Sequence, residues 1–459
     1  MARKLLKHQQ AALDWSRGRR QVAFFMQMRL GKTLTAIRWA KQFNLLRILV
    51  VCPLPVVYTW QEELLLEGSS SVALIGSWNE KITLLAEAKN EVFWWITNYE
   101  SLYQKIKLPG RMKNKHRTSP LHSYPWDCVI LDESTYIRNP KPIRTKMTRG
   151  LRTASCKAIL TGLPNPESSL DYFEQMAFLY GQFMGVNSYW KFRSKYYHPD
   201  RQGWHWTPNP KVLSAIKEEV NARAFVLTRK QVDMGSKKIY EKRFVFLPPR
   251  IKKLYTQAER DFELDGNTTK WILVVKNWIA RLAGGYPIEP KHHSSHKVRE
   301  LVSLFQGELK NEYVIVWFRF NNELFSVAKI LKKAKMSYAT ITGEDEPLRR
   351  SQILGQFQKK KFKYLLMQIK CGKFGIDCST ASTAIYYSNT FSYEERTQSE
   401  DRIINPKKKE PVLILDIITK DTIDEDIYWT LKQKAVNAKS FVSKILAHMK
   451  ERIQNAVSK

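Results

Sequence analysis

The residues Met26-Gln27-Met28-Arg29-Leu30-Gly31-Lys32-Thr33 carry the chemistry most readily read from this chain. They stand between an apolar run, Val22-Ala23-Phe24-Phe25, and the helix-forming residues Leu34 to Ala40. Strand, Gly-Lys-Thr turn and helix is the layout of a phosphate-binding loop. Backbone N–H groups at a helix start point toward phosphate oxygens, and the helix dipole favours their charge. In such a loop Lys32 reaches the β- and γ-phosphates of a nucleotide and the Thr33 hydroxyl sits on Mg²⁺. The usual spacing is G-x-x-x-x-G-K-[ST], and Met26 occupies the first glycine position. Taken alone, the turn therefore also fits the head of an ordinary surface helix.

A pair of carboxylates, Asp132-Glu133, follows a second apolar run, Cys128-Val129-Ile130-Leu131. Beside a phosphate loop the first carboxylate can hold Mg²⁺ through water, and the second can orient or deprotonate an attacking water. An acidic pair after a strand is ordinarily a polar turn. Its place downstream of Gly31-Lys32-Thr33, in the same pattern of strands, favours the chemical reading.

These groups need a scaffold that gathers strand ends. Arg47 to Cys52, ended by Pro53, reads as a buried parallel strand, as do Val92–Thr97, Cys128–Leu131 and Ala158–Leu160. A second set, Tyr313–Phe318, Leu365–Met367, Ala384–Tyr387 and Val412–Leu415, lacks a phosphate loop. Strands alternating with helical stretches predict an α/β fold of doubly wound parallel sheets, with ligands at the carboxyl ends of the strands. The alternation stops from about Glu167 to Pro290, a stretch that reads as mainly helical. Within it, Tyr189 to Tyr197 mixes aromatics with cations, which suits helical core packing or nucleic-acid stacking.

At 459 residues the chain suits two or three domains. It carries 76 Lys and Arg against 43 Asp and Glu, a net charge of +33. Such a field attracts polyanions, nucleic acid first and an anionic membrane surface second. No apolar run is long enough to span a bilayer, and no secretory signal is readable at Met1 to Leu6, so a cytoplasmic location is expected. The five cysteines are scattered without a C-x-x-C pair, which fits a reducing compartment rather than zinc or disulfides. His292, His293 and His296 read as a polar linker, and Lys105 to Arg117 as a solvated basic loop in preference to a phosphate-contacting one. Arg138, Lys141, Arg144, Lys146 and Arg149 form a second basic run.

In order along the chain, these features resemble the superfamily 2 helicase-like ATPases, and among them the Swi/Snf-type DNA translocases. Gln9 fits the adenine-sensing glutamine motif, and Met28–Thr33 fits motif I with Arg29 in place of a glycine. Val51-Cys52-Pro53 with Trp60 is similar to motif Ia, and Thr97-Asn98-Tyr99-Glu100 to the Asn-Tyr-Glu motif. Leu131 to Thr135 fits motif II, with Arg138-Asn139-Pro140-Lys141 after it, and Thr161 to Asn165 fits motif III. Leu227-Thr228-Arg229-Lys230 partly matches the Arg-Arg-Thr-Lys-like stretch of the family's insertion, and Phe244 to Pro249 resembles the strand behind it. Gln368 to Ala381 fits motif V, Gln398 to Arg402 the first half of motif VI, and Thr419 to Glu425 the family's closing segment.

The resemblance implies two RecA-like lobes with a mainly helical insertion, bounded as 1–166, 167–290 and 291–459. It implies Lys32, Asp132, Glu133 and Arg402 as catalytic residues. ATP contacts would come from Gln9, Met28, Arg29, Leu30, Gly31, Lys32, Thr33, Gly375, Asp377 and Gln398, with Mg²⁺ on Thr33 and Asp132. DNA contacts would include Lys141, Arg144, Thr161 and Lys370. The expected activity is ATP-dependent translocation of a monomer on double-stranded DNA, branched forms included, in a bacterial or phage-infected cell. A strand-separating or branch-migrating helicase and an ATP-gated DNA clamp are the alternatives. One departure bears on them: motif VI usually carries a second arginine, and Asn405 stands there, with Lys407 a nearby cation.

Overall fold

Apolar runs long enough to be buried on both faces become the centres of two parallel sheets. The computed structural model describes residues 3–435, apart from 88–93, 107–114, 166–167, 200–205, 262, 265–266, 269–270, 288–289, 374–375 and 406–408. Between Asp233 and Met234 the chain divides into two units.

The first unit opens with α1 (Lys7–Trp15), β1 (Gln21–Met26), α2 (Lys32–Ala40) and β2 (Ile48–Cys52). Then come α3 (Val57–Leu66), β3 (Ser71–Ala73), α4 (Trp78–Glu87), β4 (Trp94–Asn98) and a hairpin of β5 (Tyr103–Ile106) with β6 (Lys115–Thr118). After β7 (Cys128–Asp132), α5 (Ile143–Thr148) and β8 (Cys156–Leu160) the chain forms α6 (Tyr172–Tyr180) and α7 (Tyr189–Tyr196). A small hairpin, β9 (Tyr197–Pro199) with β10 (Trp206–Pro208), leads through α8 (Pro210–Arg223) to β11 (Ala224–Leu227). Seven strands form one parallel sheet in the order β11-β1-β8-β7-β2-β4-β3. Every residue of β2, β4, β7 and β8 is buried, which is why their sequences read as continuous apolar runs.

This order decides where the chemistry gathers. Phe24 of β1 and Asp132 of β7 both pair with Leu160 of β8, from opposite sides. The phosphate loop after β1, the Thr161 turn after β8 and Asp132 at the end of β7 therefore emerge at one sheet edge. They are spread over two strand spacings, about 10 Å.

The second unit comprises β12 (Lys238–Val245), α9 (Pro249–Asp261), a hairpin of β13 (Glu263–Leu264) and β14 (Asn267–Thr268), and α10 (Ile272–Gly284). Next come α11 (His296–Gln306), β15 (Val314–Phe318), α12 (Asn321–Lys333), β16 (Tyr338–Ile341), α13 (Pro347–Gln358) and β17 (Tyr364–Gln368). It closes with β18 (Thr383–Tyr386), α14 (Tyr393–Asp401), β19 (Val412–Thr419) and α15, residues 423–435. Its parallel sheet runs β12-β19-β18-β15-β17-β16. Period-two alternation sorts the side chains: Val314, Val316 and Phe318 enter a core with Leu301, Leu324 and Val327. Ile315 and Trp317 enter a core on the opposite face with Met367, Tyr386 and Ile403.

Two parallel sheets flanked by helices are the α/β architecture expected. Three local expectations need correction. The basic segment Lys105–Arg117 is not a plain loop, because its two ends pair as β5 and β6; residues 107–114 lie outside the described residues. The strand expected at Phe244–Pro249 lies earlier, as β12, and Pro249 opens α9, where a proline costs no helical hydrogen bond. His296 is no linker residue: it is buried at the start of α11, and its Nε2 donates to the Ala283 carbonyl at 2.8 Å. Burial lowers its pKa to about 4, so it is neutral there. Within 167–290, α6 to α10 supply the helical content, but β11 extends the first sheet and β12 the second. No helix among the described residues is long and apolar enough to cross a membrane.

Candidate nucleotide site

Gly31 caps the N-terminus of α2 with φ +76°, a left-handed turn that lets the loop fold back before the helix begins. A Cβ at Gly31 would lie 2.1 Å from Gln9 Nε2, so the Gln9 side chain rests on the loop itself. Gln9 Oε1 accepts from the Leu6 N–H at 2.8 Å, which fixes the amide. His8 Nε2 donates to the Leu30 carbonyl at 3.1 Å. On the other side, the Gln27 N–H donates to the Leu227 carbonyl at 2.9 Å, and Gln27 Oε1 accepts from the Arg229 N–H at 2.8 Å. The end of β11 thus holds the loop from behind. Gly162 approaches from the third side, where a Cβ would lie 3.2 Å from Met28 N. Leu30 is buried, while Met28, Arg29, Gly31, Lys32 and Thr33 stay partly open. Arg29 adopts φ +67°, a conformation that costs an L-residue about 1–2 kcal/mol.

Asp132 is buried, and each carboxylate oxygen has a donor. Trp60 Nε1 donates to Oδ2 at 2.8 Å and the Glu133 N–H to Oδ1 at 2.9 Å. Tyr99 Oη donates to the Asp132 carbonyl at 2.8 Å. Burial pushes the Asp132 carboxyl up; the Trp60 donor, the Lys32 charge and the Glu133 N–H oppose that rise. Lys32 therefore lies within electrostatic reach of Asp132. Glu133 has φ +48°, a sharp turn straight off the strand. Ser134 Oγ donates to Gln175 Oε1 at 2.7 Å, and Gln175 Nε2 donates to the Pro164 carbonyl at 2.7 Å, tying the two turns together. Thr161 is buried, and its hydroxyl accepts from the Leu163 N–H at 3.2 Å.

In the second unit, Gln398 and Arg402 stand on and just after α14. Arg402 Nε donates to the Gly372 carbonyl at 2.6 Å, and the Arg402 carbonyl accepts from the Cys378 N–H at 3.0 Å. The arginine is thereby tied to the loop that carries Asp377, which is exposed. Gly375 and Lys407 lie outside the described residues. The helix itself is fixed by a buried ionic network. Arg396 Nη2 donates to Asp416 Oδ2 at 2.9 Å, and its Nε donates to Glu400 Oε1 at 2.7 Å. Glu400 also accepts from Lys238 Nζ at 2.8 Å and Tyr240 Oη at 2.9 Å. Burial alone would raise the Glu400 carboxyl, but Lys238 and Arg396 hold it down at about 2.

Of the cations expected at DNA, Lys141 is exposed with Nζ 5.9 Å from the Trp190 ring centroid. Arg144 Nε donates to the Tyr136 carbonyl at 2.8 Å. Lys370 is exposed in the 3₁₀ turn Ile369–Lys373. The first unit therefore brings together Gln9, Met28 to Thr33, Asp132, Glu133 and Thr161. The second gathers Asp377, Gln398 and Arg402.

A family model for the SNF2-related domain matches residues 8–254, more than half of the chain. This chain belongs to the SNF2-related family. The match spans the phosphate loop, Asp132-Glu133 and β11; a model for the helicase conserved C-terminal domain matches residues 296–407, which include Arg402. Curated relatives of this SNF2-related chain include the "Uncharacterized ATP-dependent helicase MG018" of Mycoplasma genitalium. That protein is 22% identical over an alignment of 452 residues, which covers 94% of this chain and 41% of the relative. The "SWI/SNF-related matrix-associated actin-dependent regulator of chromatin subfamily A-like protein 1" of Drosophila melanogaster is 22% identical, over 89% of this chain and 52% of its own. The chain thus spans about half the length, or less, of these relatives. Among solved structures, the "Sulfolobus solfataricus SWI2/SNF2 ATPase core in complex with dsDNA" is 20% identical with a TM-score of 0.44. It covers 98% of this chain and 96% of its own.

Several residues that shape the site are not evident from the sequence. His8 and Gln27 brace the SNF2-related phosphate loop, and Arg396 and Asp416 anchor α14. His8 has a weak local signal, since it precedes Gln9. The Arg396–Asp416 pair has none, because the partners are 20 residues apart on a helix and a strand.

Proposed function

We propose that this SNF2-related chain is an ATP-dependent motor that moves along double-stranded DNA, coupling hydrolysis to translocation or to remodelling of what is bound there. The observation that carries the reading is the single sheet edge where the phosphate loop after β1 and the buried Asp132 of β7 emerge on either side of β8, with Gln9 against Gly31. Gln9 reads the adenine edge, since its amide both donates and accepts. Lys32 and the α2 N-terminus hold the phosphates. Glu133 orients the attacking water and takes its proton, and Arg402 stabilises charge developing on the transferred phosphoryl group. The Thr33 hydroxyl and the Asp132 carboxylate are hard oxygen donors of the kind Mg²⁺ takes, and they would hold it. Bound there, Mg²⁺ neutralises phosphate charge.

The net charge of +33 supports a polyanionic track read through its backbone rather than its sequence. Asn405, where a second arginine is usual, favours one other reading: an ATP-gated DNA clamp with slow hydrolysis. Steady-state ATP turnover with and without duplex DNA separates the two. The motor reading expects duplex-stimulated turnover that Lys32→Ala abolishes and that Glu133→Gln lowers by about 10²–10⁴-fold. Wild-type turnover in either folded variant would remove the assignment.

A further inference from the structure

β12 is the edge strand of the second sheet, paired with β19 on one side. Its period-two alternation places Lys238, Tyr240, Lys242 and Phe244 on one face. Lys238 and Tyr240 are engaged with Glu400 of α14. Lys242 lies between Phe244 and the rings of α15 instead. Lys242 Nζ lies 5.6 Å from the Phe244 ring centroid, 5.4 Å from that of Tyr428 and 5.6 Å from that of Trp429. Lys432 Nζ lies 4.4 Å from the Tyr240 centroid and 5.4 Å from that of Tyr428. Three of these four rings are open to solvent, Tyr240 at 45% exposure, Phe244 at 46% and Trp429 at 61%, while Tyr428 is buried.

Large exposed rings gathered in one place mark a binding surface, and the two lysines among them say which kind. Lysine is depleted in the cores of protein–protein interfaces, because its ammonium is costly to dehydrate. Rings alternating with cations suit unpaired nucleotides, whose bases stack on the rings while phosphates meet the lysines. A duplex cannot use the rings in this way, since its bases are already stacked on each other. We propose that the face formed by β12 and α15 binds single-stranded nucleic acid. Unpaired bases stack on Phe244 and Trp429, and Lys242 and Lys432 contact the flanking phosphates. Lys242, Phe244, Trp429 and Lys432 are none of the residues assigned to the nucleotide site, and the proposal stands whether or not ATP drives movement along a duplex.

The test is fluorescence anisotropy of the full chain, without ATP, on a labelled oligothymidylate of about twenty nucleotides, with a blunt duplex of equal length for comparison. The double variant Phe244→Ala/Trp429→Ala should bind the single strand at least tenfold more weakly, since each stacked base is worth roughly 5- to 150-fold. Its duplex affinity and melting temperature should stay close to wild type. Phe244→Tyr/Trp429→Phe, which keeps the rings, should bind the single strand normally. Lys242→Ala/Lys432→Ala should flatten the salt dependence of single-strand binding, by about 0.7 in log–log slope for each phosphate no longer neutralised. Undiminished single-strand affinity in the folded alanine variant would overturn the proposal and leave a protein-docking face. Equal losses on single strand and duplex would overturn it as well.

Discussion

Trp60→Phe removes the one side-chain donor to the buried Asp132 carboxylate found among the described residues. Trp60 Nε1 donates to Asp132 Oδ2 at 2.8 Å, and both side chains are buried. Phenylalanine keeps an aromatic ring in the core but removes the N–H. A hydrogen bond to a buried charge is worth about 1.5–3 kcal/mol. Its loss leaves the burial of the Asp132 carboxyl less opposed and so raises it further. The direction follows from the acid's chemistry: burial already raises it, and removing a donor to the ionised form raises it more. The carboxylate that is to position Mg²⁺ then forms only at higher pH. The acid limb of duplex-stimulated ATP turnover should move to higher pH. The Mg²⁺ requirement should rise roughly 10–100-fold, as when the hydrogen-bond partner of a metal ligand is removed. Turnover is measured against pH, and against Mg²⁺ at neutral pH, with saturating ATP and duplex. An unchanged acid limb and Mg²⁺ requirement in a folded variant would show that Asp132 does not serve the metal through this hydrogen bond.

Two further outcomes test the local physics. Arg29→Gly relieves the left-handed conformation at φ +67° and should raise stability in chemical denaturation by up to about 1 kcal/mol, once glycine's own entropy cost is counted; a clear loss of stability would mean that the arginine's interactions outweigh the strain. Glu323 is wholly buried, its Oε1 has no hydrogen-bond partner among the described residues, and burial raises its carboxyl from the ordinary 4.5 to about 7. An acid with a raised folded-state pKa contributes stability that is present below the ordinary value and lost as pH rises through about 7. Glu323→Gln should therefore stabilise the fold at mildly alkaline pH, by at most about 3 kcal/mol, with the gain vanishing in acid. Denaturation midpoints across that range decide it, and a pH-independent difference would contradict the assignment.

The central strands of both sheets were legible because parallel strands buried on two faces must be apolar throughout, as Ile48–Cys52 and Val314–Phe318 are. The convergence of the phosphate loop and Asp132 followed from the rule that ligands lie at strand carboxyl ends. The outer strands were less legible. Ala224–Leu227 is only four residues long and sits among helices, and it becomes a strand because β1 offers it a partner. Lys238–Val245 has three charged residues in a row, Glu241-Lys242-Arg243, and its Lys238 and Arg243 are matched by Glu400 and Glu308 from far along the chain. His296 stands in a polar stretch, yet Ala283 and Ser294 satisfy both of its ring nitrogens in the core. In each case the deciding partner is tertiary, and no local pattern announces it.

The most direct test of a duplex motor is displacement of a labelled third strand from a DNA triplex. With ATP the wild-type chain should release the third strand while the underlying duplex stays paired, and Lys32→Ala should release none. A simple tailed duplex should be unwound weakly or not at all. Robust unwinding of that tailed duplex without triplex displacement, or third-strand release that does not need ATP, would contradict the account.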